Sequence, residues 1–358
     1  MVRFHPLTIK DIRKETPDCV SIAFEIPEDL KPSYQFTQGQ NLTLRVKLNN
    51  EELRRSYSIC SSPLDNELRI AVKKVLQGRF SSHANLKLRK GDAIDVLPPT
   101  GKFYTALQTG HKKKYLAFAA GSGITPILSI IKTTLAIEAD SEFVLIYGNR
   151  NRGTIIFKEQ LEALKNRYIQ RFTILHVLSR EKTDAIINHG RINGEKCEQL
   201  KPIVEFKKMD EIFLCGPEEM VFSVRDWLHH QGIDHNKIHF ELFTTPGEKS
   251  EFRIQKSEVM RDQGPKSKVS IKLDGITFDF ELSKSGNSIL DGALQQGADL
   301  PYACKGGVCS TCRARLVSGE VAMDSNYALE PDEIARGFIL TCQSHPVTDS
   351  VVVDFDMK

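Results

Sequence analysis

The chain reads as a multidomain protein: an antiparallel β-barrel, then a doubly wound α/β domain, then a small α+β module. Three observations predict this. Before residue 100 apolar and polar residues alternate; beyond Gly110 apolar runs alternate with helical stretches; and near the C-terminus four cysteines stand as C-x4-C-x2-C, with the fourth after 29 further residues.

The barrel comes first. Val20–Ile26, Asn41–Leu48 and Glu67–Lys73 each show period two and are separated by turn residues, the pattern of short antiparallel strands. Within this region Arg55-Ser56-Tyr57-Ser58 lies where a strand should emerge from a turn. An arginine, a tyrosine and a serine on one strand face would let a guanidinium, a flat ring and a hydroxyl meet one ligand. A solvated strand face is the plainer reading of the same residues. Gly78-Arg79-Phe80-Ser81 stands just before an expected helix, an arrangement that offers backbone amides to a diphosphate or simply caps the helix.

The α/β domain follows. Tyr115–Ala120 and Glu142–Tyr147 are apolar strands alternating with helices such as Phe157–Tyr168 and Glu218–Gln231, which implies a parallel sheet. Gly121-Ser122-Gly123-Ile124-Thr125-Pro126 joins the strand ending at Ala120 to a helix, and a glycine turn there admits a pyrophosphate to the helix N-terminus. Proline at the third position departs from the full G-x-G-x-x-G pattern. Ser179-Arg180 should end another strand at the carboxyl edge of the sheet, where a hydroxyl and a guanidinium suit a 2′-phosphate and so favour NADPH over NADH; a solvated loop arginine is the competing reading. Cys215-Gly216-Pro217 follows a further strand at that edge, and Cys215 alone would be a small buried hydrophobe.

Between Thr244 and Lys266 nine of 23 residues are charged, with Pro246-Gly247 and Gly264-Pro265 at the ends, which reads as a linker. The domains are thus expected at 1–108, 109–243 and 267–358. The last opens on a hairpin turning at Asp274-Gly275, continues into a helix at Ser288–Gln296 capped by Asn287 or Ser288, and reaches Cys304, Cys309, Cys312 and Cys342. Their spacing is that of a plant-type 2Fe-2S site, with Gly306 and Gly307 expected to form the tight ligand loop. A four-cysteine zinc site usually takes two close C-x2-C pairs, and a Rieske centre needs two histidines that this loop lacks.

Composition narrows the rest. A 40% hydrophobic and 27% charged chain is an ordinary soluble globular one. No apolar run approaches the ~20 residues of a membrane span, and the start lacks a signal-peptide core, so a cytoplasmic protein with no membrane partner is expected. Cys19, Cys60, Cys197 and Cys215 then read as reduced thiols. Residues 267–358 hold 8 Lys+Arg against 13 Asp+Glu, while residues 1–266 hold 41 against 33. An acidic module on a basic partner suggests docking within the chain, or merely uneven solvation. No basic block is interleaved with aromatics, so nucleic-acid binding is not expected.

Together, Arg55–Ser58, Gly78–Ser81, Gly121–Pro126, Cys215–Pro217 and the cysteine pattern resemble the ferredoxin-NADP reductase superfamily fused to a plant-type ferredoxin. Within it, Leu300–Cys309, Asn326–Glu333 and Val351–Asp356 look most like the reductase subunits of phenylacetyl-CoA epoxidases. The resemblance implies an FAD-binding barrel, an NAD(P)-binding domain and a β-grasp ferredoxin domain. It implies that Arg55 neutralises the FAD diphosphate, that Tyr57 packs on the flavin ring, that Ser58 bonds near its reactive nitrogen, and that Gly78 and Ser81 complete the diphosphate site. Gly121, Gly123 and Thr125 would hold the nicotinamide nucleotide, Ser179 and Arg180 its 2′-phosphate, with Cys215 by the nicotinamide; NADH is the alternative donor. In the family Glu241 and Phe243 lie beside the flavin, although here the chain runs on into a linker.

The implied partner is the oxygenase component of a multicomponent di-iron monooxygenase. A nicotinamide donor gives two electrons and an iron-sulfur cluster takes one, so a flavin must stand between them. Another oxygenase, a hydroxylase or a hybrid-cluster protein could receive the electrons equally well. A redox sensor is the alternative of another class, and it predicts a degenerate flavin or nucleotide site.

Overall fold

The computed structural model describes residues 3–243 and 264–357. Most of the expected linker, 244–263, lies outside the described residues; Lys266, assigned to it, already opens a strand. The described chain divides into two compact units. The larger comprises Phe4–Leu53 and Tyr57–Phe243, and the smaller comprises the described residues from 264 onward together with Arg3 and Arg54–Ser56.

In the larger unit, β1 (His5–Thr16), β2 (Cys19–Glu25), β3 (Asn41–Leu48), β4 (Glu51–Ser58), β5 (Leu68–Lys73) and β6 (Ala93–Val96) form an antiparallel sheet ordered β4-β3-β6-β1-β2-β5. A bridge from Ile59 to Ile70 ties the end of β4 to β5 and closes the barrel. The β3–β4 hairpin turns on Asn49 and Asn50, both with φ near +60° (52° and 63°), as a two-residue turn whose twist suits antiparallel strands. Inward residues such as Leu7, Ile22, Leu42 and Val96 make the core, joined by Phe80 from α1 (Arg79–Leu86).

The second half of this unit carries parallel strands β7 (Lys114–Ala120), β8 (Glu142–Asn149), β9 (Phe172–Leu178), β10 (Glu211–Gly216) and β11 (Ile238–Leu242), with helices α2 (Ile124–Ile137), α3 (Lys158–Arg167), α4 (Gly194–Leu200) and α5 (Glu218–His230). The order β11-β10-β7-β8-β9 places the first strand in the middle, so the direction of winding reverses between its neighbours β8 and β10. In such sheets the crevice at the carboxyl ends beside the reversal receives the ligand. Helix α2 is buried on almost every side because it is covered by both the sheet and the barrel. Ser129 Oγ donates to Ser61 O at 2.6 Å, and the Thr133 and Ser62 hydroxyls meet at 2.9 Å. Cys19, Cys60, Ala71 and Phe103 of the barrel share one apolar core with Tyr115, Ile127 and Leu128.

The smaller unit is a β-grasp fold. Its sheet is ordered β13-β12-β18-β14-β16, from β12 (Lys266–Leu273), β13 (Ile276–Ser283), β14 (Arg313–Ser318), β16 (Phe338–Leu340) and β18 (Ser350–Asp354). A short pair, β15 (Val321–Met323) with β17 (Ser344–Pro346), stands apart. Strands β12 and β18 run parallel; the β12–β13 hairpin turns on Asp274 (φ 53°) and Gly275 (φ 77°). Helix α6 (Ile289–Gln295), capped by Ser288 Oγ accepting from Asp291 N, buries Ile289, Leu290 and Ala293 against Val269, Ile271 and Val351. A short helix α7 (Pro331–Ala335) sends Glu333, 1% exposed, to the Arg313 guanidinium.

Candidate electron-transfer sites

The cysteine loop is built on strained backbone. Lys305 (φ 50°), Gly307 (φ 77°) and Ser310 (φ 50°) take the left-handed conformation, so the turn expected of Gly306 and Gly307 is made by Gly307 with two non-glycine neighbours. Gly307 is also sterically required, since a Cβ there would stand 2.8 Å from Ser325 O. This path turns amides towards sulfur: Gly306 N donates to Cys304 Sγ at 3.3 Å. Cys304 is held down to about 6, first by the Cys309 thiol donating to it and then by the N–H groups of Gly306, Val308 and Cys309, against the cost of burial. Cys312 and Cys342 form a second hydrogen-bonded pair, in which Cys342 is lowered. Among the described residues no three or more His, Cys, Asp or Glu converge on one metal-ion position; the thiols stand two and two. Two thiolates per iron is what a binuclear cluster requires, whereas a structural zinc gathers four ligands round one ion. The residues therefore fit a 2Fe-2S cluster.

Strand β4 carries the flavin candidates, with one correction. Period two puts Arg55 and Tyr57 on one face but Ser58 on the other, so the three do not share a face as expected. The Arg55 guanidinium bonds only the neighbouring Arg54 O, at 2.7 Å, and has no carboxylate partner among the described residues. Tyr57 packs 5.4 Å from Phe80, centroid to centroid. Ser58, buried, donates to Glu241 Oε2 at 2.8 Å. Glu241 is held by the parallel pairing of β11 on β10, where it stands beside Cys215, and burial raises its carboxyl to about 7 despite the Ser58 hydrogen bond. Gly78 is the residue before α1; a Cβ there would lie 2.3 Å from Ser81 Oγ. Ser81 Oγ accepts from Val75 N and donates to Gly78 O, both at 3.2 Å, so its hydroxyl shapes the loop. A guanidinium with no carboxylate partner among the described residues and a side-chain-free helix entrance are each suited to a diphosphate.

The nucleotide candidates meet at the carboxyl edge of the parallel sheet. Gly121 has φ 53° and its carbonyl accepts from Tyr147 Oη at 2.9 Å. At Gly123 a Cβ would stand 2.1 Å from Cys215 O, so glycine alone lets the turn after β7 cross the end of β10. Thr125 is buried with its hydroxyl donating to Ser122 O at 3.0 Å, and thus braces the turn. Cys215 is fully buried, and burial holds its thiol well above the ordinary range. Ser179 N donates to Asn149 O at 2.9 Å and Arg180 N to Arg150 O at 2.8 Å. Those two bonds place the ends of β8 and β9 side by side and carry Arg150 next to Arg180. Neither guanidinium has a hydrogen bond or ion pair with a described residue, which fits an anionic ligand.

Sequence reasoning missed two cations here. Arg150 was overlooked because it belongs to another strand. Lys73, read as the end of a barrel strand, brings Nζ within 3.5 Å of where a Cβ on Gly121 would stand. Its only signal was a lysine pair, Lys73-Lys74, closing the strand.

Two sheets joined by one core, a glycine turn at the reversal of winding, and a separate loop of paired thiols define a class: a flavin- and nicotinamide-dependent oxidoreductase with a 2Fe-2S domain. Comparison with known proteins agrees. An oxidoreductase FAD-binding domain matches residues 6–104, an oxidoreductase NAD-binding domain 118–226, and a 2Fe-2S iron-sulfur cluster binding domain 271–347. One of the subunits of 1,2-phenylacetyl-CoA epoxidase from Escherichia coli (strain K12) is 46% identical over 359 residues, covering 100% of this chain and 99% of that protein. The ferredoxin reductase component of 3-ketosteroid-9-alpha-monooxygenase from Rhodococcus rhodochrous is 32% identical, covering 98% and 96%. Among solved structures, phthalate dioxygenase reductase superposes with a TM-score of 0.59 at 24% identity over 98% of both chains, a likeness of fold. The chain belongs to the ferredoxin-NADP reductase superfamily, in the branch with a C-terminal 2Fe-2S domain that includes the epoxidase protein from Escherichia coli.

Among the described residues no helix is long and apolar enough to cross a membrane.

Proposed function

We propose that this protein draws electrons from NADPH and delivers them, singly, to the di-iron oxygenase component of a phenylacetyl-CoA epoxidase in the cytoplasm. The observation that carries the choice of acceptor is the 46% identity over the full length of one of the proteins of that enzyme. When bound, FAD and the cluster supply the change from two-electron to one-electron transfer.

The chain's own residues supply position and charge. Arg55 offsets the negative charge of the FAD diphosphate, with Gly78 and Ser81 shaping the loop that receives it, and Tyr57 packs against the flavin ring. Ser58 and Glu241 form a hydrogen-bonded pair next to Cys215, and the raised carboxyl of Glu241 lets it hold or release a proton near neutral pH. Gly121, Gly123 and Thr125 form the turn for the nucleotide pyrophosphate, with Lys73 as its cation. Ser179, Arg180 and Arg150 receive the 2′-phosphate, and the unpaired state of both arginines supports NADPH. Cys304, Cys309, Cys312 and Cys342 hold the cluster.

The test mixes the purified protein with a phenylacetyl-CoA oxygenase core and NADPH, with and without phenylacetyl-CoA. NADPH consumption that depends on phenylacetyl-CoA and matches ring-oxidised product is expected. Reduced flavin and cluster without product would redirect the acceptor to another oxygenase, a hydroxylase or a hybrid-cluster protein.

A further inference from the structure

We propose that Gln343 is the clasp of the cysteine loop and sets the reduction potential of the cluster through an N–H directed at Cys342 sulfur. The proposal rests on reading the loop as a 2Fe-2S site. Gln343 follows the fourth cysteine and is 1% exposed. A buried carboxamide is costly unless its polar atoms are partnered, so its place inside calls for specific acceptors. Its Nε2 carries two hydrogens and faces three acceptors: Lys305 O and Cys342 O, each at 2.9 Å, take the short bonds, and Cys342 Sγ at 3.7 Å shares one of the same hydrogens. The first lies within the C-x4-C segment and the other two on the distant cysteine, so one side chain joins the two halves of the ligand set.

The surroundings are built round this side chain. Gly307, already bound to a left-handed φ, would place a Cβ 3.2 Å from Gln343 Cγ. The Gln343 backbone is fixed on both sides, N donating to Leu340 O at 2.8 Å and O accepting from Asp324 N at 2.9 Å. The amide therefore has little freedom to turn away from sulfur.

Reduction adds negative charge to the cluster, and part of it falls on the cysteine sulfurs. A fixed N–H donor favours the more negative state and so raises the potential; hydrogen bonding to sulfur is among the main determinants of such potentials. Gln343 acts through Cys342 and the loop, as a positioning residue.

The experiment is a redox titration of the full-length holoprotein, followed by visible absorption and by electron paramagnetic resonance of the reduced cluster. In Gln343→Leu, which keeps bulk and loses the amide, the ratio of reduced to oxidised cluster at a fixed potential should fall about tenfold, or about 59 mV for a one-electron couple. The signal of the reduced cluster should change shape while the flavin midpoint stays in place. Gln343→Glu puts an acceptor by the sulfur in place of a donor, and its ratio should fall further. Loaded variants with the wild-type midpoint and signal would overturn the proposal. So would failure of both variants to hold a cluster beside an intact flavin, because the residue would then build the site without tuning it. Loss of the 2Fe-2S spectrum in the wild-type protein would instead overturn the cluster reading.

Discussion

Glu241 gives the sharpest quantitative expectation. In the folded chain burial holds its proton up to about pH 7, against an ordinary value of 4.5. Below about pH 4.5 the group is protonated folded or unfolded, and the stability tied to it is fully present. As pH rises through the interval only the unfolded chain releases the proton, so stability falls and the loss is complete a little above pH 7. At about 1.4 kcal/mol per pH unit the interval amounts to about 3 kcal/mol, an upper figure because the carboxylate keeps some access to water. Glu241→Gln removes the titration yet keeps an oxygen to accept from Ser58. The variant should match the wild type at pH 5 and exceed it at pH 8, by a Tm difference of about 6–10 °C for a unit of this size. Thermal release of flavin fluorescence between pH 5 and 8 reads it. A difference independent of pH, or a variant less stable at pH 8, would refute the reasoning.

Other expectations follow from the same geometry. Gly123→Ala drives a Cβ into the Cys215 carbonyl at 2.1 Å, where both partners are backbone; overpacking of this kind costs about 1–3 kcal/mol, and displacement of the turn should weaken NADPH binding about 100-fold, with flavin content unchanged. Wild-type affinity by titration would show that the turn does not hold the nucleotide. Arg180→Ala and Arg150→Ala should each raise the KM for NADPH about tenfold and leave that for NADH nearly unchanged; equal effects on both would remove the 2′-phosphate assignment. Cys342→Ser should retain FAD and NADPH-dependent dye reduction and lose most one-electron delivery, measured with a cytochrome acceptor; undiminished delivery would sink the cluster assignment.

What was legible in the sequence was local. Period two gave the strands of the barrel, the switch to alternating strands and helices gave the parallel sheet, and the cysteine spacing gave the loop. The same period, applied one residue out, put Ser58 on the wrong face, because a one-residue step in a strand reverses the side chain. Helix α2 was expected from its glycine turn, but its burial on nearly all sides comes from lying between sheet and barrel, which no periodicity records. Arg150 and Lys73 were missed for a related reason: each meets the nucleotide turn or Arg180 only after strands distant in sequence are laid side by side. Gln343 carried no signal beyond adjacency to Cys342.

The eight cysteines show how environment, and not residue type, divides ligand from packing. Cys19 and Cys197 are pushed up to about 12 by burial, and Cys60 and Cys215 are raised by the same cause. A thiol so held keeps its hydrogen and behaves as a small hydrophobe. Cys304 is half-buried and is lowered, because a neighbouring thiol and three backbone amides face its sulfur. Within each pair of the loop one thiol is held down and its partner up, Cys304 against Cys309 and Cys342 against Cys312, as expected when two sulfurs share one hydrogen. The left-handed conformations at Lys305 and Ser310 cost free energy. Hydrogen bonds from the loop amides to anionic sulfur help to offset that cost, so the strained turn and the lowered thiols both suit a loop that holds a negatively charged cluster.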